Sequence, residues 1–126
     1  MKHLATTMLI LVGIIHLLPL SGILGAERLS TLYGIEFQDP NVLILMRHRA
    51  VLFGILGTFF MVAAFRPASQ LWAFGTAFLS TGSFMLLAWS TGGYNPELHR
   101  VFVVDLVAVG LIVIGFIARI SKSAAP

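Results

Sequence analysis

Apolar residues fall along this chain in four long runs, each broken from the next by a few polar, glycine or proline positions. The runs cover about 4–24, 40–65, 71–90 and 96–119. About 20 apolar residues in a helix cross a bilayer, so each run is long enough to span one. The pattern predicts an all-α fold, an integral membrane four-helix bundle forming a single domain over residues 1–126. Pro19 lies inside the first run and should kink it. Residues Ala26 to Asn41 form the longest connection. Within it Leu29, Leu32 and Tyr33 stand at i, i+3 and i+4 and Gly34 follows, which predicts a short amphipathic turn lying on the membrane surface. Arg66-Pro67 ends the second run, and a Pro67–Gln70 connection makes the second and third spans an antiparallel hairpin. Residues Thr91 to Tyr94 form the last loop, and Ile120 to Pro126 a short polar tail.

The second and fourth spans start alike. Asp39-Pro40 and Asn95-Pro96 each pair a capping side chain with proline at the first helical position. Arg49 and Asp105 then follow their prolines by nine residues, and Gly54 and Gly110 by fourteen. Two tandem helical hairpins would produce this agreement, and so would chance in apolar sequence, since the first and third spans align less clearly.

Composition strengthens the membrane reading. Apolar residues make up 58% and charged residues 10%, against about 25% charged in soluble domains. The net charge of +3 is no nucleic-acid signal, because the eight Lys and Arg are scattered at helix ends. With no cysteine, disulfides, thiolate nucleophiles and iron–sulfur clusters are excluded. Met1-Lys2-His3 ahead of an apolar run is signal-like, but the run is long for a signal peptide. Cleavage after Ala26 would put Leu24 where a small residue is needed, so the segment is read as a retained first helix. Lys2, Arg66, Arg119 and Lys122 fall on one side, and Arg28, Arg47, Arg49 and Arg100 on the other, with all five acids. Setting aside Arg47 and Arg49, which lie beyond the first turn of the second span, leaves the excess with the termini. Both termini are then expected in the cytoplasm, in a bacterial inner membrane.

Ionisable groups inside a bilayer are costly and each asks for a reason. At 1.5 Å per residue, Arg49 lies about 24 Å from the end of its span at Phe65, and Asp105 about 21 Å from Arg119. His16, Arg47, His48 and Ser83 share that half of the membrane, and the half nearer the termini is almost purely apolar. These six residues, His16, Arg47, His48, Arg49, Ser83 and Asp105, are the candidate cluster. For Arg49 and Asp105 a structural ion pair locking two helices is the leading reading, with a ligand or proton site and snorkelling to the interface as alternatives. Arg47, His48 and Arg49 point about 100° apart, so at most two face the interior. His16 reads first as a hydrogen-bonding packing residue, then as a proton-relay or quinone site, and last as a haem ligand with His48. No Glu-x-x-His or His-Glu-x-x-His run is present and no metal site is predicted. Ala50, Gly54 and Thr58, and Ala73, Ala77 and Thr81, form small-residue stripes for close helix packing or a dimer face. Trp72, Trp89 and Tyr94 suit an interfacial aromatic belt.

Gly-Ile-Ile-His in the first span, Leu-Tyr-Gly-Ile in the first loop and Arg-His-Arg-Ala-Val-Leu-Phe-Gly in the second span are similar to the small DoxX-like four-helix membrane proteins. The resemblance covers nearly the whole chain through motifs of low specificity. It implies a bacterial membrane protein without an assigned activity; some members of that broad group are subunits of a thiosulfate:quinone oxidoreductase. Chains of this look also carry the label phosphopantetheine adenylyltransferase. That activity is not expected here, because its nucleotide-binding α/β fold and His-x-Gly-His motif are missing. The reading is therefore an accessory, assembly or structural subunit without its own catalysis. The alternative is a redox subunit holding quinone or haem in the polar cluster. Besides the lipid bilayer, a homo-oligomer or a larger membrane complex would supply its partners.

Overall fold

The computed structural model describes residues 3–123, with side chains to Ser121. Lys2 and the side chain of Lys122, both used in the orientation count, lie outside the described residues, as do residues 124–126 of the tail. The chain is all helical, in the order α1 (Leu4–Leu17), a 3-10 segment (Leu18–Leu24), α2 (Ala26–Tyr33), α3 (Pro40–Ala64), α4 (Pro67–Thr91) and α5 (Pro96–Ser123). Four segments are long and apolar enough to cross a membrane: Leu4–Leu24, Pro40–Ala64, Pro67–Thr91 and Pro96–Ser121. Their outward faces carry bulky apolar side chains, with Trp72 77% and Trp89 76% exposed. Only hydrocarbon makes such a surface cheap, and the protein is a multi-pass membrane protein.

Helix starts follow local chemistry. The Asp39 carboxylate accepts from the Asn41 backbone N–H at 2.8 Å, and Asn95 Oδ1 from that of Leu98 at 2.8 Å. Each satisfies an orphan donor ahead of a proline-led first turn. Two boundaries differ from the sequence reading. Pro67 opens α4 rather than a connection, because a proline without N–H costs nothing in a first turn. Likewise α5 continues past Arg119 to Ser123, since nothing in Ile120–Ser123 breaks a helix. Pro19 does not merely bend the first span. From Leu18 the backbone tightens into the 3-10 form and stays so until Gly25, whose φ of 133° turns the chain into α2.

In the bundle α1 packs on α3 and α5, and α4 packs on α3 and α5. The ring order is thus α1, α3, α4, α5, with α3 and α5 on opposite corners. The core lies toward the α3–α4 connection, where Leu9, Val12, Phe60, Phe74, Ala77 and Ile112 are buried. Close approach depends on glycine. A Cβ at Gly57 would sit 2.7 Å from Leu17 Cγ and 3.0 Å from the Gly13 carbonyl oxygen, and one at Gly115 would sit 2.5 Å from Phe74 Cζ. On α3 the packed small residues are Ala50, Gly54 and Gly57, whereas Thr58 is exposed. On α4, Ala73, Ala77 and Thr81 are all buried as a stripe. The end that the sequence presented as purely apolar holds a small polar clasp. Gln70, 5% exposed, donates to the Ala64 carbonyl at 2.9 Å, and Thr6 donates to the same oxygen at 3.0 Å.

Candidate functional site

At the other end the four helices do not close on each other. The end of α1, the 3-10 segment, α2, α3 and α5 line a cavity of about 330 Å³. The amphipathic turn read from the sequence is the roof of this cavity. Leu29 is 1% and Tyr33 5% exposed, so the apolar face of α2 is spent on protein rather than on lipid. The roof is tied down at its C-terminal end. Gly34 adopts φ +66°, and Asn95 Nδ2 donates to the Tyr33 carbonyl at 2.8 Å. Its underside brings Tyr33 and Thr31 to the cavity, and Arg28 reaches it from the same helix. Ile15, Leu18, Phe53, Val101 and Val104 supply apolar wall.

Of the six candidate residues, His16, Arg49 and Asp105 meet at this cavity. Arg47, His48 and Ser83 do not. Arg47 is exposed and donates through Nε to the Ile23 carbonyl at 2.9 Å, pinning the 3-10 segment to α3. His48 is exposed, one helical step from the cavity-facing Arg49. Ser83 is exposed and turns back on its own helix, donating to the Ser80 carbonyl at 3.1 Å. Five further polar lining residues, Arg28, Thr31, Tyr33, Glu97 and Arg100, were not in the cluster read from the sequence. They lie in α2, outside the apolar runs, and in the first turn or so of α5, at the very start of the fourth run, where a charge attracts no notice. Their shared face was visible only as the i, i+3 spacing of Glu97 and Arg100.

The ion pair expected between Arg49 and Asp105 is replaced by another arrangement. Arg49 Nη1 donates to the Tyr33 hydroxyl at 2.7 Å. The guanidinium also lies 5.2 Å from the Tyr33 ring centre and 4.7 Å from that of Phe53. Cation–π contacts contribute about 0.5–2 kcal/mol each, and a hydrogen bond to a charged group about 1.5–3 kcal/mol. Together these are comparable with the roughly 2.5–3.5 kcal/mol of placing an arginine at a span's centre. Arg49 therefore does not need a carboxylate to be tolerated. Asp105 is half-buried and makes no hydrogen bond to another described residue, though Arg49 acts on it through space. The helices α3 and α5 stand on opposite corners of the bundle, and the Arg49 guanidinium is turned onto Tyr33 and Phe53 rather than onto the carboxylate.

His16, at the cavity floor, is 2% exposed. Its Nδ1 lies 2.9 Å from the Val12 carbonyl, an acceptor, so the proton sits there and the ring is in one tautomer. Nε2 is then left to accept from Ser80 Oγ at 3.2 Å. The ring stands edge-on to Phe60 with centroids 4.8 Å apart. With both nitrogens engaged and His48 outside the cavity, a bis-histidine haem site is not assembled. Among the described residues no three His, Asp or Glu side chains gather closely enough to hold a metal ion.

The chain matches no protein-family model, no curated protein and no solved structure. The geometry of the cavity is therefore what bears on function.

Proposed function

We propose that this protein is a small membrane accessory subunit that acts by holding a lipophilic molecule in the cavity beneath α2, without bond-making chemistry of its own. The observation that carries the reading is that Arg49 and Asp105 face one cavity without closing on each other. A donor and an acceptor that line one largely apolar space without an ion-pair contact suit an occupant with a polar head. Quinone is the second occupant to consider, because its carbonyl could accept from Arg49, and a hydroxyl of its reduced quinol form could donate to Asp105. Membership of the DoxX-like group, suggested by the sequence motifs, is part of the same proposal. So is an orientation with both termini cytoplasmic, supported by Arg66 and Arg119 at the α3–α4 end.

Mass spectrometry of the purified protein and of a cavity-filling Val104→Trp variant tests the binding reading. The wild type should carry a lipophilic molecule near one per chain, and the variant should lose it. Equal retention by both would mark the molecule as bulk lipid and sink the reading.

A further inference from the structure

We infer that the occupant is a single-chain amphiphile carrying one negative charge, a medium-chain carboxylate in chemical class. This deepens the cavity reading above and rests on it.

Charge comes first. Three guanidiniums line the cavity, from three different helices: Arg28 on α2, Arg49 on α3 and Arg100 on α5. Two carboxylates line it with them, Glu97 and Asp105. The lining thus holds one positive charge in excess. Arg49 is half-buried and less screened than the exposed Arg28 and Arg100, and the excess positive charge favours an occupant of opposite sign. One excess charge matches a monoanion. A dianionic phosphate would overshoot that excess and leave the occupied cavity with a net negative charge.

Donor geometry agrees. A guanidinium carries five N–H donors. Arg49 uses one on Tyr33, and its plane is held by two aromatic rings. Arg28 uses Nε on Ser21 at 3.0 Å. Arg100 makes no hydrogen bond to another described residue and is exposed on the rim. The remaining donors are available to a carboxylate, which guanidinium recognises in a bidentate fork.

Size decides the tail. About 330 Å³ is at the small end of ligand pockets, which run from about 300 to 1,000 Å³. One short acyl chain is of a size to lie along Ile15, Leu18, Val101 and Val104.

The test is saturable binding of radiolabelled decanoate to the full chain in nanodiscs, with Val104→Trp nanodiscs as the background. Decanol, decyl phosphate and decylubiquinone serve as competitors. Decanoate should bind at least tenfold more tightly than decanol, decyl phosphate or decylubiquinone. Arg49→Gln should weaken decanoate at least tenfold and leave decanol unchanged, and Arg49→Lys should restore part of the loss. Should Arg49→Gln fail to fold, Arg100→Gln carries the same expectation at a smaller, severalfold effect, since that side chain holds no part of the fold. Any of the three competitors binding as tightly as decanoate would overturn the charge inference and leave the cavity reading standing. Decanoate affinity unchanged in these arginine variants would do the same. No competitor or label binding above the Val104→Trp background would overturn both.

Discussion

Arg49 shows how a charge is kept in a membrane without an ion-pair contact. Its guanidinium is held by the Tyr33 hydroxyl and by two ring faces, while Asp105 keeps no hydrogen-bond partner among the described residues. The expectation for the carboxyl side then differs in sign from that of an ion pair. Asp105→Asn should leave thermal stability in detergent unchanged or raise it, because a half-buried carboxylate without a hydrogen-bond partner is lost and Arg49 keeps its bond to Tyr33. A fall of several degrees would restore the ion pair. Tyr33→Phe and Arg49→Gln should instead be coupled, by about 0.5–3 kcal/mol in a double-mutant cycle, as for residues in one hydrogen bond. Simple additivity would show that the 2.7 Å contact contributes nothing. Gly34 is the second residue with a clear expectation. At φ +66° a side chain costs about 1–2 kcal/mol, and a Cβ there would stand 2.5 Å from Glu97 Oε2. Gly34→Ala should therefore loosen the roof, read as faster hydrogen exchange of the α2 amides. Unchanged protection would mean that the turn is not what holds α2. At this scale the sequence was partly legible. His16, Arg49 and Asp105 stood out because charge and imidazole are expensive in an apolar run. Tyr33 and Arg28 did not, because nothing about a polar residue in a loop tells which way the loop folds.

Among the elements, proximity is set by glycines, and only some of them matter. Gly57 lies where α1 and α3 touch, with a backbone carbonyl that cannot move aside at 3.0 Å from a would-be Cβ. Gly57→Ala should destabilise by about 1–3 kcal/mol, the usual penalty of overpacking. Gly75 and Gly110 face open space, so alanine there should stabilise by about 0.5–1 kcal/mol through lost backbone freedom in the unfolded chain. Thermal melts of the three variants in one detergent check the contrast; equal effects would mean that the α1–α3 contact is not glycine-dependent. The same comparison bears on the internal repeat. Asp39 and Asn95 cap alike, and Arg49 and Asp105 face one cavity, but Gly54 packs against Leu20 while Gly110 meets nothing. The agreement between the two halves is therefore one of helix starts and depth, and it stops at packing. Helix existence and capping were legible because they depend on neighbours in sequence. The change to 3-10 geometry after Leu17 was not, since Pro19 is compatible with a kink or with a tighter helix.

The whole molecule divides into a closed end and an open end. The closed end is filled by Leu9, Phe60, Phe74 and their neighbours and clasped by Gln70. The open end holds the cavity and its roof. An up-and-down bundle puts the α2 region and the α4–α5 loop on one side of the membrane and the α3–α4 connection on the other. Because the chain has no native cysteine, single substitutions report this directly. Gln38→Cys and Thr91→Cys should react with an impermeant maleimide from the periplasmic side, and Ala68→Cys only after the cytoplasmic side is opened. The reverse pattern would invert the proposed orientation. Labelling of all three from one side would contradict the four-span topology itself.

Four apolar runs, two Asx-Pro starts and the shortage of charge were enough to settle helices, spans and their order, because each depends on local propensity and on what a bilayer tolerates. Which polar residues meet was decided by the tertiary structure alone. The ring order puts α3 and α5 on a diagonal and Arg49 turns onto Tyr33 and Phe53, so equal depth did not become an ion-pair contact with Asp105. The fold of α2 onto the bundle brings Tyr33 and Arg28 from a loop into the cavity. Helix rotation then separates Arg49, facing in, from Arg47 and His48, facing out, although the three are consecutive. Position along a helix is written in the chain; which face turns inward is set by the packing of helices far apart in it.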